Sequence, residues 1–183
     1  MCWAIVAIEA VAASLKAKNP DKDLLELSFQ ELLDCYKEEE IKCYTYCIKK
    51  ALEWIKSYGI RKEEEYPFKA CKCPCQHKTE EQKALVVKIV DIKKVGHENE
   101  SEFLMRVKEQ PIAGGVIMTN KFCNLKGKEY LHAILIIGFG YNEEENKNYW
   151  IIKNSYGKDW GIHGYGRIAR KSSLPKGRPS LIL

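Results

Sequence analysis

The sequence predicts an α+β protein in which a helical half precedes a half built of β-strands. Residues 1–18 are apolar around most of a helical circumference and contain neither glycine nor proline, which predicts one buried helix. Residues 46–58 place Ile48, Leu52 and Ile55 on one face of a second long helix. After residue 84 the runs become rich in Val and Ile, which favours strands. Helices followed by strands are typical of an α+β chain in two lobes.

Local signals set the ends of the helices in the first half. Lys16 and Lys18 suit the negative end of the first helix dipole, and Asn19-Pro20 should end that helix. Ser28 with Glu31 three residues later forms a capping-box pattern, which predicts a short helix ending near Cys35. Gly59 is the expected C-terminal stop of the helix over 46–58.

The remaining elements follow in chain order. Residues 37–42 and 61–65 are charged, and we expect both segments to lie on the solvated surface. Residues 85–95 predict a strand, and Ser101 can cap a helix that ends at Gln110-Pro111. Further strands are expected at 112–118, 132–139, 149–153 and 165–169.

Composition narrows the class of protein and its partners. The chain has 183 residues, enough for a sizeable core, and a net charge of +5 in which lysines alternate with glutamates. This pattern lacks a basic stripe with aromatics, so we expect no nucleic-acid partner. No run is long enough for a membrane helix, and residues 1–18 lack the features of a signal peptide. Eight cysteines favour an oxidising compartment.

Cys2 is the first candidate for chemistry. It lies at the start of the predicted buried helix, where free N–H groups and the positive dipole end favour a thiolate. Taken alone, Cys2 is better interpreted as a small buried apolar residue, because a reactive thiol usually has a charged partner as well as a helix end. The argument changes with His132 and Asn154, each of which borders an apolar run. They follow Cys2 by 130 and 152 residues, and Cys-His-Asn nucleophile sites have a spacing of about 130–150 residues.

The spacing is that of the papain-like cysteine peptidases, and the chain resembles this family along nearly its whole length. The resemblance rests on a set of short motifs in the family's order. They are Cys2-Trp3-Ala4, Leu27-Ser28-Phe29-Gln30-Glu31-Leu32-Leu33-Asp34-Cys35, Tyr66-Pro67-Phe68, His132-Ala133, Gly138-Phe139-Gly140, Asn154-Ser155 and Trp160-Gly161.

The resemblance implies a function and the residues that perform it. It implies a cysteine-type endopeptidase that hydrolyses peptide bonds, with Cys2 as nucleophile, His132 as acid and base, and Asn154 as the residue that orients the imidazole. No metal or organic cofactor is implied, and the partner would be a peptide or protein substrate. The positions that match the family's substrate cleft are Thr45, Tyr46, Cys47, Ile48, Tyr130, Leu131 and Ala133.

The resemblance also implies architecture and location. Residues 1–90 would form a helical left lobe, and residues 91–183 an antiparallel, β-barrel-like right lobe. Cys35 would pair with Cys75 in a disulfide, while the pairing of Cys43, Cys47, Cys71, Cys73 and Cys123 stays open. We expect a monomer in a vacuole, a lysosome or the extracellular space.

Several positions depart from the family pattern. Thr45-Tyr46 stand where the family has two glycines, so Tyr46 would crowd an extended substrate. Tyr156 stands where the family has a tryptophan that shields the His–Asn hydrogen bond. Leu131 stands where the family usually has a polar or small residue. The second oxyanion donor, a glutamine six residues before the nucleophile, would precede Met1. We therefore expect slow turnover of the chain as written. The alternative function is an impaired or truncated paralogue that binds peptides or partners.

A last alternative concerns the segment Cys71-Lys72-Cys73-Pro74-Cys75-Gln76-His77. Alternating thiols and an imidazole could bind zinc. The spacing is unlike that of common zinc sites, and a disulfide at Cys75 competes for the same residues. The disulfide is the preferred interpretation, with no metal site expected.

Overall fold

The computed structural model describes residues 1–36, 44–95, 99–118, 130–170 and 181–182, with the backbone alone at 44–47, 117–118, 130 and 181–182. The helices are α1 Cys2–Lys18, α2 Phe29–Cys35, α3 Tyr44–Tyr58, α4 Glu80–Leu85 and α5 Glu100–Glu109. The strands are β1 Lys94–Val95, β2 Ile112–Met118, β3 Tyr130–Asn142, β4 Lys147–Lys153, β5 Tyr165–Ala169 and β6 Leu181–Ile182. The predicted α+β class is confirmed.

Helix α1 is the centre of the first half of the chain. It begins at Cys2 and ends at Lys18, as the absence of glycine and proline predicts. It packs against α2, α3 and β3, so most of its surface is covered by protein. Its buried side chains are Trp3, Ala4, Val6, Ala7, Ile8, Val11 and Ala12.

Helix α2 begins at Ser28, but the predicted capping box is only half formed. The Ser28 hydroxyl accepts a hydrogen bond from the Glu31 amide at 3.0 Å. The Glu31 carboxylate does not reach back to Ser28. It accepts hydrogen bonds from the Arg61 backbone amide at 2.7 Å and from Arg61 Nε at 3.1 Å, and it pairs with Lys78 Nζ at 2.5 Å.

This ion cluster corrects the prediction that Arg61 lies on the surface. The side chains of Glu31, Arg61 and Lys78 are 0 %, 3 % and 9 % exposed. Burying a charge is costly unless it is paired and hydrogen-bonded. Glu31 supplies that pairing to both cations, which is why a charged segment can enter the core here.

Helix α3 ends at Tyr58 and presents Ile48, Leu52 and Ile55 to the core, as predicted. Gly59 follows with φ of 70°, a left-handed conformation that favours glycine. A Cβ at this position would overlap the Val86 side chain. Both facts explain the glycine at this helix end.

The predicted strand over 85–95 is wrong for most of its length. Helix α4 ends at Leu85, and only Lys94–Val95 forms a strand. Between them Val87 exchanges two backbone hydrogen bonds with Ile60, each 2.9 Å, as an isolated bridge. Val90 is 87 % exposed, so the Val and Ile content of this segment does not mark a buried strand.

The second half is built on an antiparallel sheet with the strand order β2-β3-β4-β5. The predicted bounds of β2 and β5 are confirmed, while β3 and β4 extend beyond their predictions. A bulge lies between Ile136 and Gly138, where β3 pairs with β4. Helix α5 is capped by Asn99, whose side chain accepts from the Glu102 amide, and not by Ser101 as predicted.

Two apolar cores match these two halves. One surrounds α1 and takes in residues of α2 and α3, and it reaches Ala113 on β2 and Ala133 on β3. The other joins Phe103 and Val107 of α5 to the sheet. Strands β2 and β3 both contribute to the two cores, so these two strands connect α1 to the sheet.

The predicted disulfide between Cys35 and Cys75 is present and closes a loop with a sequence separation of 40. Because the bridge restricts the unfolded chain, the Cys35→Ser/Cys75→Ser double variant should lose about 3–4 kcal/mol of unfolding free energy. Urea titration of both proteins measures this difference. Cys71→Ser, which removes an exposed free thiol, should change stability by less than about 0.5 kcal/mol. Equal stability of the double variant and the wild type would contradict the prediction.

Candidate active site

The thiol of Cys2 lies at the first residue of α1 and is partly buried. Cys2 has no side-chain cap before it, so the first amides of the helix remain as donors next to the sulfur. The thiol interacts with the His132 side chain and with the backbone amide of Ala133. Helix α1 packs against α2, α3 and β3, and this packing fixes the position of the sulfur.

His132 lies on β3, directly opposite Val116 of β2. Its side chain is buried. The ring nitrogen Nε2 is 2.7 Å from Asn154 Oδ1. Since Nε2 donates to this oxygen, the other ring nitrogen is the one that faces Cys2.

Asn154 is held by its backbone and by its neighbour. Its amide donates to the Gly164 carbonyl at 2.9 Å, just after β4 ends. Its Oδ1 accepts from the Ser155 amide at 2.8 Å as well as from His132. With two donors on one oxygen, the amide side chain is oriented before any substrate arrives. The three residues singled out by spacing are therefore connected, with His132 interacting with Cys2 on one side and hydrogen-bonded to Asn154 on the other.

The pKa values of the two titrating groups shift in opposite directions. Burial works to raise the pKa of Cys2, but the hydrogen bonds from His132 and the Ala133 amide, with the charge of the imidazole, lower it overall. Burial works to lower the pKa of His132, but the hydrogen bonds to Cys2 and Asn154 and the thiolate charge raise it overall. Both shifts favour a thiolate beside an imidazolium.

Tyr156 covers the imidazole from one side. Its ring centre lies 4.7 Å from that of His132, with the planes tilted by 33°. Trp160 packs edge-on against Tyr156 at 6.3 Å. A tyrosine thus contacts the histidine at the position where the sequence departs from the family's tryptophan.

A contact that the sequence did not assign ties α1 to Lys153, the last residue of β4 and the neighbour of Asn154. Lys153 Nζ lies 2.6 Å from Glu9 Oε1, and both side chains are partly buried. Ser14 of α1 also donates to Gln110 Oε1 at 2.7 Å. The only signal for the first contact is Glu9 itself, the sole charge on α1 before Lys16. These two contacts hold the helix of Cys2 against the half of the chain that carries His132 and Asn154.

The predicted substrate positions have different surroundings. The side chains of Ile48 and Ala133 are fully buried, so only their backbone groups could meet a substrate. Leu131 is partly exposed on β3, next to His132. The side chains of Thr45, Tyr46, Cys47 and Tyr130 lie outside the described residues, and so does the predicted crowding by Tyr46.

No histidine beyond His132 joins the site within the described part of the chain. His77 and His163 are exposed, and His97 falls in the undescribed range 96–98. Among the described residues no three His, Cys, Asp or Glu side chains are grouped to hold a metal ion. Cys75 of the zinc alternative is used by the disulfide.

Iodoacetamide should alkylate Cys2 faster than Cys71 or Cys73 at mildly acidic pH. Its lowered pKa keeps a larger thiolate fraction as the pH falls, whereas ordinary thiols are neutral there. The preference should shrink at alkaline pH, where thiols in general ionise. Peptide mapping after brief labelling measures the rates. His132→Ala should remove the preference, and equal labelling of all three cysteines in the wild type would contradict the paired thiolate.

Comparisons with known proteins agree with this arrangement. A family model described as papain family cysteine protease matches residues 1–177. Vignain from Phaseolus vulgaris is 34 % identical over 191 residues, covering 96 % of this chain and 50 % of the relative. Ananain from Ananas comosus is 33 % identical, covering 94 % and 50 %. The chain spans about half the length of these curated relatives.

The solved structures give the same result. Bromelain from Ananas comosus, in complex with the E64 inhibitor, superposes with a TM-score of 0.70 at 34 % identity, covering 92 % of this chain and 79 % of that one. A cysteine protease from Carica candamarcensis gives a TM-score of 0.73 at 30 % identity, covering 99 % and 86 %. The fold is therefore papain-like, as the motifs predicted, and the chain belongs to the papain family of cysteine proteases.

Proposed function

We propose that this chain is a cysteine-type endopeptidase that hydrolyses peptide bonds through Cys2, His132 and Asn154. The observation that carries the proposal is the position of the His132 ring, which interacts with the Cys2 thiol and is hydrogen-bonded to Asn154 Oδ1. A thiol at a helix start, an imidazole and an orienting amide are the groups that acyl transfer by cysteine requires.

The first half of the reaction follows from the charges in the site. The Cys2 thiolate attacks the carbonyl carbon of the peptide bond, and the carbonyl oxygen becomes an oxyanion. The backbone amide of Cys2, at the positive end of α1, is positioned to donate to that oxygen. His132 then gives its proton to the leaving amine, and a thioester remains on Cys2.

The second half uses the same imidazole as a base. Neutral His132 takes a proton from a water molecule, which attacks the thioester carbonyl. The acid product leaves, and the thiolate and imidazolium are restored. Asn154 keeps the ring in place through both halves by accepting from Nε2. An amide is sufficient for this role because the charge that stabilises the imidazolium comes from the thiolate.

The proposal extends to partner and compartment. Papain-family proteases act on peptides or proteins, and we infer the same class of substrate here, acted on by a monomer. The Cys35–Cys75 disulfide supports a vacuolar, lysosomal or extracellular location, because proteins bound for these places pass through the oxidising ER lumen, where such bonds form. None of the helices in the described residues is long and apolar enough to cross a membrane. We further propose that residues 1–90 and 91–183 act as two lobes with the cleft between them.

The test is peptide hydrolysis by the wild type and by Cys2→Ala. The wild type should cleave fluorogenic peptide amides, and Cys2→Ala should be reduced to the background rate, because no other described thiol touches His132. E64, the inhibitor bound by bromelain, should add to Cys2 in the wild type, as intact mass and peptide mapping would show. Peptide binding by both proteins without cleavage by either would reject the peptidase and favour the binding paralogue.

A further inference from the structure

Two free cysteines other than Cys2 lie close together in the chain segment that follows Ala70. Cys71 and Cys73 are free, and their sulfurs are 3.3 Å apart. This separation is a direct sulfur–sulfur contact with a weak S–H···S hydrogen bond. Cys71 is exposed and Cys73 is partly exposed, so the pair is open to solvent. Nothing in the proposed peptidase reaction uses it.

The loop that carries these thiols is fixed by three contacts to α2. The Cys71 carbonyl accepts from Gln30 Nε2 at 2.7 Å, and the Cys73 amide donates to Asp34 Oδ1 at 2.7 Å. Two residues further on, Cys75 is bonded to Cys35. Gln30 and Asp34 are themselves buried and joined at 2.9 Å. The proximity of the two sulfurs is therefore set by a rigid backbone and not by chance encounter in a mobile loop.

We propose that Cys71 and Cys73 form a reversible dithiol–disulfide site that exchanges with low-molecular-weight disulfides such as oxidised glutathione. The Cys71 thiolate attacks one sulfur of the glutathione disulfide, which forms a mixed disulfide and releases one glutathione as thiolate. The Cys73 thiolate then attacks the Cys71 sulfur, which forms the Cys71–Cys73 bond and releases the second glutathione. The protein loses two electrons and two protons, and both are recovered in the two reduced glutathione molecules.

The surroundings assign the order of the two steps. The pKa of Cys73 is raised, first by its hydrogen bond to Cys71 and then by burial and the charges of Cys71 and Asp34. The more exposed Cys71 is therefore the attacking thiol, and Cys73 is the resolving thiol. Lys69 and Lys72 lie exposed on either side of Cys71 and favour an anionic partner such as glutathione. Closing the bond needs an approach from 3.3 Å to about 2.05 Å.

The experiment uses the full chain with Cys2→Ala, so that the nucleophile of the proposed peptidase neither labels nor cleaves the sample. The protein is equilibrated in glutathione buffers of increasing oxidised fraction, quenched with acid, alkylated and digested with trypsin. Cleavage after Lys72 separates Cys71 from a peptide that holds both Cys73 and Cys75. The two peptides remain joined only if Cys71 is bonded to one of these cysteines, and fragmentation of the joined peptides shows which one.

We expect both thiols to become protected together at one buffer ratio, and the tryptic peptides to stay linked. In Cys71→Ser or Cys73→Ser the remaining thiol has no partner and should carry glutathione instead. The wild-type pair should show at least about tenfold less of this adduct, since a tethered partner thiol acts at millimolar or higher effective concentration.

Three results would overturn the proposal. One is separate glutathione adducts on both cysteines in the wild-type pair. Another is protection of neither thiol in buffers that convert the single variants to adducts. The third is a new bond from Cys71 or Cys73 to Cys75 or Cys35, which would show rearrangement of the existing disulfide. None of these results bears on peptide hydrolysis. The Cys71–Cys73 site and the proposed peptidase activity are therefore tested independently.

Discussion

Replacing His132 by alanine should lower the turnover number of the proposed peptidase by about 10²–10⁴-fold. The variant loses the group that protonates the leaving amine and that activates water for the second step. It also loses the hydrogen bond and charge that lower the pKa of Cys2, so the nucleophile itself becomes weaker. Because these effects act on the chemical steps, kcat should fall much more than KM rises. Steady-state kinetics with a fluorogenic peptide amide measures both constants.

His77→Ala is the matched control, because His77 is exposed and belongs to the other half of the chain. Its kinetics should equal those of the wild type. The kcat of Asn154→Ala should lie between those of His132→Ala and His77→Ala. The imidazole would remain but would lose the acceptor at 2.7 Å that orients it. A His132→Ala variant with wild-type kcat would rule out this histidine as the acid and base.

Replacing Glu31 by glutamine should lower the unfolding free energy by about 3–5 kcal/mol. The carboxylate is buried and is the shared partner of two cations, Arg61 and Lys78. Without its charge, Arg61 remains buried with only neutral acceptors, such as the Gln76 carbonyl at 2.6 Å. Urea titration followed by circular dichroism gives the unfolding free energy of each protein.

The control is Glu80→Gln, which removes a carboxylate that also pairs with a lysine, Lys83, at 2.6 Å. This pair is exposed, so the loss should stay below about 1 kcal/mol. If Glu31→Gln and Glu80→Gln were equally stable, the buried cluster would contribute no more than a surface pair.

Elements that depend on local pattern were predictable from the sequence. Helix α1 has no residue that would interrupt it, and its extent was predicted correctly. The bounds of the short strands β2 and β5 were also predicted correctly. The order of motifs was enough to identify the fold. It was also enough to select Cys2, His132 and Asn154, which the structure brings together.

Features that depend on contacts between distant residues were not predictable. Glu31 matches a capping box in sequence, but Arg61 and Lys78 compete for its carboxylate, and they lie 30 and 47 residues away. Strand β6 has only two residues and pairs with β1, so no local pattern marks it. The strand predicted over 85–95 was wrong because composition alone does not supply a pairing partner. The Val and Ile content suits a strand, yet before Lys94 the described contacts give this segment only an isolated bridge, between Val87 and Ile60.

The distance along the chain between Cys2 and its two partners has a consequence for synthesis. Translation at about 5–20 residues per second makes Cys2 leave the ribosome roughly 8–30 seconds before Asn154, which follows it by 152 residues. Pairing of β2 with β3 and of β3 with β4 must precede assembly of the site, since His132 and the segment before Asn154 lie on those strands. During that interval α1 carries a thiol without its imidazole. A nascent chain therefore has little capacity to cut itself or its neighbours, and peptidase activity becomes possible only once the sheet has formed.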